Sequence, residues 1–242
     1  MKNWLAEKIM IDDTHVDHTS CVPITELMKL FEIATFRHSN IMGLDHNSME
    51  KNSNAFWVVT KMKVVPTKPI KVGEKITVTT WTHELGTARA IRDCVIKSGN
   101  TIKAKFKAEW CCLDFNTRKL RRMNTICYPE LEMEKVDNVK TEFSNLRVDV
   151  KEDDFAYSKI VRSTDIDVNL HTNNLKYNFM VFDAFSVDEI RSLKIKEYEI
   201  YFVNESYEND KIDIFKKKIR KTYYVEGRVS DKVIFKTIIK VK

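Results

Sequence analysis

Polar and apolar residues alternate strictly between positions 165 and 171. The odd positions carry Asp165, Asp167, Asn169 and His171, and the even positions carry Ile166, Val168 and Leu170. In an extended chain a period of two places these two sets on opposite faces. The pattern therefore predicts an extended segment with one polar face and one apolar face.

A helix is predicted directly after this segment. Asn173 or Asn174 can cap it, because an asparagine side chain accepts a hydrogen bond from a free N–H group of the first turn. The apolar residues that follow at helical spacing are Leu175, Tyr177, Phe179, Met180 and Phe182. His171 would then lie beside a helix N-terminus, where unpaired N–H groups favour negative charge.

The polar face holds the components of a general-base site. Its carboxylates can orient an imidazole, its amide can donate or accept a hydrogen bond, and the imidazole of His171 can take up a proton. An edge strand with a solvated polar face, followed by a capped helix, would give the same spacing. From the pattern alone both interpretations stay open.

The first half of the chain predicts one apolar helix followed by a run of strands. Pro23, at a first helical position, precedes apolar residues at helical spacing from Ile24 to Ala34, which predicts about five turns. Strands are predicted near 8–11 and at 55–65, 75–81, 89–96 and 101–113. A helix this apolar must be covered, and the order of elements indicates an antiparallel sheet curled around it.

The second half repeats the first. A shift of 150 residues places Asp17 on Asp167 and Leu27 on Tyr177, and a shift of 136 places residues 74–78 on residues 210–214. In this register Cys21 takes the place of His171, so the first copy lacks the imidazole. Strands of the second half are predicted at 193–203, 211–225 and 228–241, with a turn at Glu226 and Gly227 before the last.

These patterns divide the chain into three segments. Residues 1–127 form the first half, residues 155–242 form the second, and residues 128–154 form a connector. The connector is predicted because a basic segment at 118–122 is followed by an acidic, polar one at 129–135, which is typical of a solvated link.

Composition narrows the classes of protein that fit. The 242 residues are 43% hydrophobic, enough for a sizeable core, but no stretch reaches the roughly 18 apolar residues of a membrane span. The N-terminus lacks the apolar core of a signal peptide, so a cytoplasmic location is the default.

Five cysteines without a C-x-x-C pair predict reduced thiols rather than a disulfide framework or a zinc site. The net charge of +6 suits an acidic partner, and no nucleic-acid-binding signature accompanies it.

The stretch 167–174 resembles the Asp-x-Asn-x-His-x-Asn-Asn signature of the thioesterases that act on acyl-acyl-carrier-protein (acyl-ACP). Asp167, Asn169, His171, Asn173 and Asn174 are all in place. The resemblance implies an α+β protein with a double (tandem) hot-dog fold, each half an antiparallel sheet wrapped around a central helix. It also implies hydrolysis of the acyl-ACP thioester to free fatty acid, in fatty acid biosynthesis, with no metal or organic cofactor. Without a transit peptide, the chain resembles the bacterial branch of the family.

The resemblance also implies roles for individual residues. Family members carry a catalytic glutamate at the end of a tyrosine-containing strand, and Glu205 matches it, so the expected catalytic set is Asp167, Asn169, His171 and Glu205. Asn173 and Asn174 are expected to bind substrate at the helix N-terminus, where N–H groups stabilise an oxyanion. Ser206 follows Glu205 where plant members have a cysteine, which favours attack by a water that His171 and Glu205 position. The resemblance leaves open which of these two is the principal base.

The first half is expected to hold the alkyl chain, because its helix and strands offer apolar side chains without a polar row. The expected lining residues are Met28, Phe31, Phe56, Trp57, Val59 and Trp81. Acyl carrier protein, which is acidic, is the expected partner, steered by the basic segments 118–122 and 216–221; solvated surface faces would also account for these segments. We expect a monomer, as a pseudo-dimer, or a homodimer.

Three other functions fit the sequence less well. An acyl-CoA thioesterase would share the fold and the chemistry. A non-catalytic regulator that binds acyl thioesters would share the fold but not the turnover. A nucleic-acid-binding protein would explain only the basic segments.

Overall fold

The computed structural model describes residues 3–130, 138–140 and 142–242. The chain divides into two compact units, Met1–Glu142 and Phe143–Lys242. Residues 131–137, which include most of the acidic stretch predicted at 129–135, lie outside the described residues, as do residues 1–2 and 141. The boundaries predicted for the connector therefore stay a prediction.

The first unit is built on a five-stranded antiparallel sheet. Its elements are β1 (Trp4–Met10), α1 (Ile24–Ile41), α2 (His46–Ser53), β2 (Ala55–Pro66), β3 (Lys75–Leu85), β4 (Arg89–Ser98), β5 (Thr101–Asp114) and β6 (Leu120–Arg121). The strand order is β1-β3-β4-β5-β2, and the two-residue β6 pairs with β5. All four long strands predicted here are present.

Helix α1 packs its apolar face on this sheet. Met28 and Phe31 have no exposed surface, and the Phe31 ring lies 5.2 Å from the ring of Phe106 in β5, centroid to centroid. Pro23 is the N-cap rather than the first helical residue, so the helix begins one position later than predicted. Among the described residues no helix combines the length and the apolar character that a bilayer crossing needs.

The second unit repeats this architecture in a shorter chain. Its elements are β7 (Phe155–Ile160), α3 (Asn174–Asp183), α4 (Val187–Ser192), β8 (Ile195–Phe202), β9 (Lys211–Ile219), β10 (Thr222–Val229) and β11 (Lys232–Val241). The strand order is β8-β11-β10-β9-β7, and every pair is antiparallel. The buried ring of Tyr177 in α3 packs against the rings of Phe202 and Phe235. The predicted α+β fold, a sheet around a central helix in each half, is confirmed.

One turn of the second unit was missed from the sequence, and another was misplaced. The strand predicted at 211–225 is two strands, and the chain turns between them at Arg220, which has a φ of 53°. Gly227, predicted to be a turn residue, lies inside β10 at a bulge. A Cβ added there would lie 2.3 Å from Cε1 of Phe235, so the glycine is required by the close approach of this ring. The next turn comes at Ser230, with a φ of 51°.

Candidate active site

The segment from Asp167 to His171 is a tight loop, so the extended segment predicted from its alternation is wrong. The N–H of Asp167 donates to the carbonyl of His171 (2.9 Å), and Leu170 has a φ of 64°. The carboxylate of Asp167 accepts the N–H of Asn169 at 2.8 Å, a side-chain bond that favours a turn over a strand. The apolar residues do not form a buried face, because Val168 and Leu170 are 88% and 76% exposed.

The loop nevertheless places His171 between Asp167 and Glu205, which are three of the four predicted catalytic residues. Nδ1 of His171 lies 3.6 Å from Oδ1 of Asp167, and Nε2 lies 3.6 Å from Oε1 of Glu205. The imidazole is mostly buried and the Glu205 carboxylate is half-exposed. Both separations exceed hydrogen-bond length, and catalytic hydrogen bonds commonly tighten only when substrate binds. The ring is therefore flanked by a carboxylate at each nitrogen.

Donors within the chain orient both carboxylates. The N–H of Asn169 holds the Asp167 oxygen that faces His171. The hydroxyl of Tyr207 donates to Oε2 of Glu205 at 3.0 Å, while Oε1 of the same carboxylate faces His171. Tyr207 was missed in the sequence because nothing in its neighbourhood distinguishes it from an ordinary turn tyrosine.

Asp165, the first residue of the alternating row, braces the loop and does not join the site. Its buried carboxylate accepts the N–H of Arg162 at 3.0 Å and lies 3.5 Å from Lys159 and 3.6 Å from Lys176. Burial by itself would raise the pKa of Asp165, but this hydrogen bond and the two ammonium groups outweigh burial and lower the pKa below its ordinary value. Asp165 is therefore an anchoring carboxylate.

At the start of α3, most of the polar groups that were expected to stabilise an oxyanion already form hydrogen bonds within the chain. The side chain of Asn173 caps the helix by accepting the N–H of Leu175 at 2.8 Å, and the N–H of Asn173 donates to the carbonyl of Asp165. In the described part of the chain no hydrogen bond uses the N–H of Asn174. Asn173 therefore caps the helix, and the contact of Asn173 and Asn174 with substrate stays a prediction.

Ser206 lies beneath the site in a buried group of hydroxyls. Its side chain has no exposed surface, and its Oγ lies 2.7 Å from Oγ1 of Thr172 and 2.9 Å from the hydroxyl of Tyr177. The N–H of Thr172 donates to the carbonyl of Ser206 at 2.8 Å. Enclosure of the Ser206 hydroxyl leaves it no route to a substrate carbonyl.

The first unit contains the same loop without the bases. The N–H of Asp17 donates to the carbonyl of Cys21 (3.1 Å), and Ser20 has a φ of 58°, as Leu170 has in the second unit. The N–H of Val22 donates to the carbonyl of Ile70 (2.9 Å), which matches the bond from Thr172 to Ser206. In this register Cys21 replaces His171 and Pro69 replaces Glu205. The predicted repeat thus holds at the level of single hydrogen bonds.

The residues that were expected to line the alkyl-chain pocket belong to the core of the first unit. The buried ones are Met28, Phe31, Phe56, Val59 and Trp81. Trp57 is partly buried and packs edge-on against Tyr128, with ring centroids 6.5 Å apart. Their role in holding an alkyl chain stays a prediction.

Part of each basic segment is engaged within the fold. Arg121 pairs with Asp114 at 3.2 Å, Lys216 pairs with Glu189 at 3.0 Å, and Lys217 pairs with Asp154 at 3.3 Å. The exposed basic members of the two segments are Arg118, Lys119, Arg122, Lys218, Arg220 and Lys221. The side chains in the described ranges form no cluster of three or more His, Cys, Asp or Glu that could hold a metal ion.

Comparison with known families identifies the chain. Residues 3–129 match the acyl-ACP thioesterase N-terminal domain, and residues 148–239 match the acyl-ACP thioesterase C-terminal domain. The chain belongs to the acyl-ACP thioesterase family. The resemblance inferred from residues 167–174 is therefore confirmed, and the loop with His171 lies in the C-terminal domain of the family.

Plant thioesterases are among the relatives of this family member. The chloroplastic palmitoyl-acyl carrier protein thioesterase of Arabidopsis thaliana is 30% identical over 159 residues, which are 63% of this chain and 39% of the plant protein. An oleoyl-acyl carrier protein thioesterase of the same plant is 19% identical over 86% of this chain and 62% of its own length. The chain therefore spans less than two thirds of each of these two relatives.

Two solved structures share the fold over the whole chain. An acyl-ACP thioesterase from Bacteroides thetaiotaomicron superposes with a TM-score of 0.84 at 18% identity, covering 99% of this chain and 98% of the other. The 12:0-ACP thioesterase from Umbellularia californica also gives a TM-score of 0.84, at 16% identity, covering 100% and 98%. At these identities the likeness shows the tandem hot-dog fold.

Proposed function

We propose that this acyl-ACP thioesterase family member hydrolyses the thioester of acyl-ACP and releases a free fatty acid in fatty acid biosynthesis. The observation that carries the proposal is the placement of the His171 imidazole between the carboxylates of Asp167 and Glu205. Membership of the family and the names of the plant relatives support the choice of substrate.

In the proposed mechanism a water molecule is the nucleophile. Asp167, facing Nδ1, favours the tautomer of His171 that carries its proton there, which leaves the lone pair of Nε2 directed towards Glu205. A water held by Nε2 and by Oε1 of Glu205 attacks the thioester carbonyl carbon, and one of its protons passes to this pair. Tyr207 keeps the Glu205 carboxylate in place by holding its second oxygen.

The tetrahedral intermediate then loses the thiol. Asn169, on the loop beside His171, positions the thioester, and the N–H of Asn174 at the start of α3 stabilises the oxyanion. When the carbon–sulfur bond breaks, the thiolate of the phosphopantetheine arm takes the proton held by the His171–Glu205 pair. The products are the carboxylic acid, which ionises, and the free thiol of the carrier protein. No step calls on a metal or an organic cofactor.

We further propose that the core of the first unit sets the length of the alkyl chain. Its central helix is apolar around Met28 and Phe31, whereas the loop of the second unit that carries the bases is lined by polar groups. Polar groups without partners are costly beside a hydrocarbon chain. A reducing compartment, the cytoplasm, fits the five free cysteines.

The test is to incubate the purified 242-residue chain with acyl-ACPs of graded length and with the matching acyl-CoAs, and to identify the released acids by mass spectrometry. We expect free acids from acyl-ACP and much slower release from acyl-CoA. Faster turnover of acyl-CoA at every salt concentration would identify an acyl-CoA thioesterase instead. Binding of acyl-ACP without release of acid would identify a non-catalytic regulator.

A further inference from the structure

The three buried hydroxyls beneath the candidate active site form one directed chain. The carbonyl of Ser206 can only accept, and the hydroxyl of Thr172 lies 3.1 Å from it. The order that gives every hydroxyl an acceptor has Thr172 donating to this carbonyl, Ser206 donating to Oγ1 of Thr172 and Tyr177 donating to Oγ of Ser206. In this order each hydroxyl donates once, and all three lie in buried side chains. Each of these three hydroxyl groups therefore has an acceptor for its proton.

Two of the three hydroxyl-bearing residues adjoin the proposed bases. Thr172 directly follows His171, and Ser206 directly follows Glu205. The backbone bond from Thr172 to Ser206 already joins the two segments, and the side chains add two more bonds between the same residues. Tyr177 ties this junction to α3, the helix that follows the loop in the chain.

The first unit shows that the fold does not need these hydroxyls. The residues equivalent to Thr172, Ser206 and Tyr177 are Val22, Ile70 and Leu27, which are all apolar and buried. The backbone bond between the two segments is kept there. Burying a hydroxyl in place of hydrocarbon costs free energy that its hydrogen bonds at best recover. Packing alone therefore does not explain three hydroxyls in the unit that carries the bases.

We propose that Thr172, Ser206 and Tyr177 are positioning residues that fix the separation between His171 and Glu205. Apolar contacts are not directional and allow two segments to slide, whereas hydrogen bonds hold a defined distance and orientation. A displacement of about 1 Å can cost on the order of 10²-fold in rate. The inference rests on the proposed function, because the separation matters only if the two groups share a water.

The test is the variant T172V/S206A/Y177F, which removes the hydroxyls and keeps nearly the same shapes. We expect a midpoint of thermal unfolding within about 4 °C of the wild type, kcat for acyl-ACP lower by ~10- to 10²-fold, and KM within about twofold. A merely structural role would lower the unfolding midpoint and leave the kcat of the folded fraction unchanged. That second result would overturn the inference.

Single variants separate the hydroxyl from the shape of the side chain. Thr172→Ser keeps the hydroxyl and should keep most of kcat, whereas Thr172→Val keeps the shape and should not. Equal losses in the two variants would refute the role of the hydroxyl. Val22→Thr, at the matching position of the first unit, is the control and should leave kcat unchanged. If the wild type hydrolyses no acyl thioester, both the proposed function and this inference are refuted. If the wild type is active and the triple variant is fully active, only the inference is refuted.

Discussion

Nε2 of His171 lies 3.6 Å from Oε1 of Glu205, although the two residues come from segments 34 positions apart in the chain. The gap is too long for a direct hydrogen bond and short enough for one water to contact both groups. This relationship makes the pair, and not either residue alone, the proposed acceptor of the water proton.

Removal of either member of the pair should abolish most of the activity. His171→Ala and Glu205→Gln should each lower kcat for acyl-ACP by at least ~10²-fold, because each removes a group that binds or deprotonates the water. Circular dichroism should show an intact fold. Cys21→Ser, at the position equivalent to His171 in the first unit, is the matched control and should stay near wild-type activity. Near-wild-type hydrolysis by His171→Ala would exclude the mechanism.

Salt should weaken the interaction with acyl carrier protein. At an ionic strength of ~0.1 M, interactions between exposed charges are screened beyond ~10 Å. If exposed basic residues steer the acidic partner, raising the ionic strength to this value should therefore increase KM for acyl-ACP. The increase should be far larger than for a neutral short thioester. R220E/K221E and K119E/R122E should have the same effect at low salt, because these side chains are exposed. Lys97→Glu, an exposed lysine outside both segments, is the control. Kinetics that do not change with salt would leave both segments without a docking role.

The length of the released acid should respond to the core of the first unit. Alanine at Met28, Phe31, Val59 or Trp81 should shift the product profile towards longer acids, with each additional buried methylene contributing up to ~0.8 kcal/mol. Because these side chains are buried, their truncation also costs stability, so profiles should be compared at a temperature where each variant is folded. Phe179→Ala and Phe182→Ala in α3 are the comparison. A shift caused by the α3 variants alone would place the length limit in the second unit.

Asp165 should make stability depend on pH in the acidic range. Its pKa is lower in the folded chain than its ordinary value, so its ionised form stabilises the fold above the unfolded value of ~3.9. This contribution is lost as the pH falls through the folded pKa. Asp165→Asn should therefore lose about 1–3 kcal/mol at pH 7, and its gap to the wild type in urea unfolding should narrow below pH ~4. A gap that is the same at every pH would show that the charge of Asp165 does not contribute.

A methyl group at Gly227 should destabilise the second unit. The new Cβ would fall 2.3 Å from the ring of Phe235, which is fully buried and cannot move freely. Gly227→Ala should cost about 1–3 kcal/mol of unfolding free energy, the usual range for overpacking. Phe235→Leu in the Gly227→Ala background should recover part of this loss, although Phe235→Leu is destabilising in the wild type. Additive losses would show that the ring and the glycine do not interact.

Much of the fold could be predicted from periodicity. Helix α1 and the long strands of the first unit follow from side-chain spacing, because a long element repeats its pattern often enough to be recognised. The shorter helices α2 and α4 were missed, since eight and six residues carry too little periodicity and depend on the caps Asp45 and Ser186. The turn at Arg220 was also missed, because a left-handed arginine leaves no signal in the sequence.

The sequence by itself determined the repeat of the two halves and the kinds of side chain available at the candidate site. It did not determine the conformation of the loop, because the alternation at 165–171 fits a strand as well as the turn that Asp167 forms with Asn169. It also could not show that Tyr207 holds Glu205, or that Thr172, Ser206 and Tyr177 meet beneath the bases. The bond from Tyr207 to Glu205 is local, but it depends on the conformation of the turn that carries both residues. The hydroxyls of Thr172 and Tyr177 lie 34 and 29 positions from Ser206 in the chain, and only the packing of α3 against its sheet brings them within hydrogen-bond range. Local patterns record which face of an element is apolar, whereas tertiary structure decides which polar atoms meet.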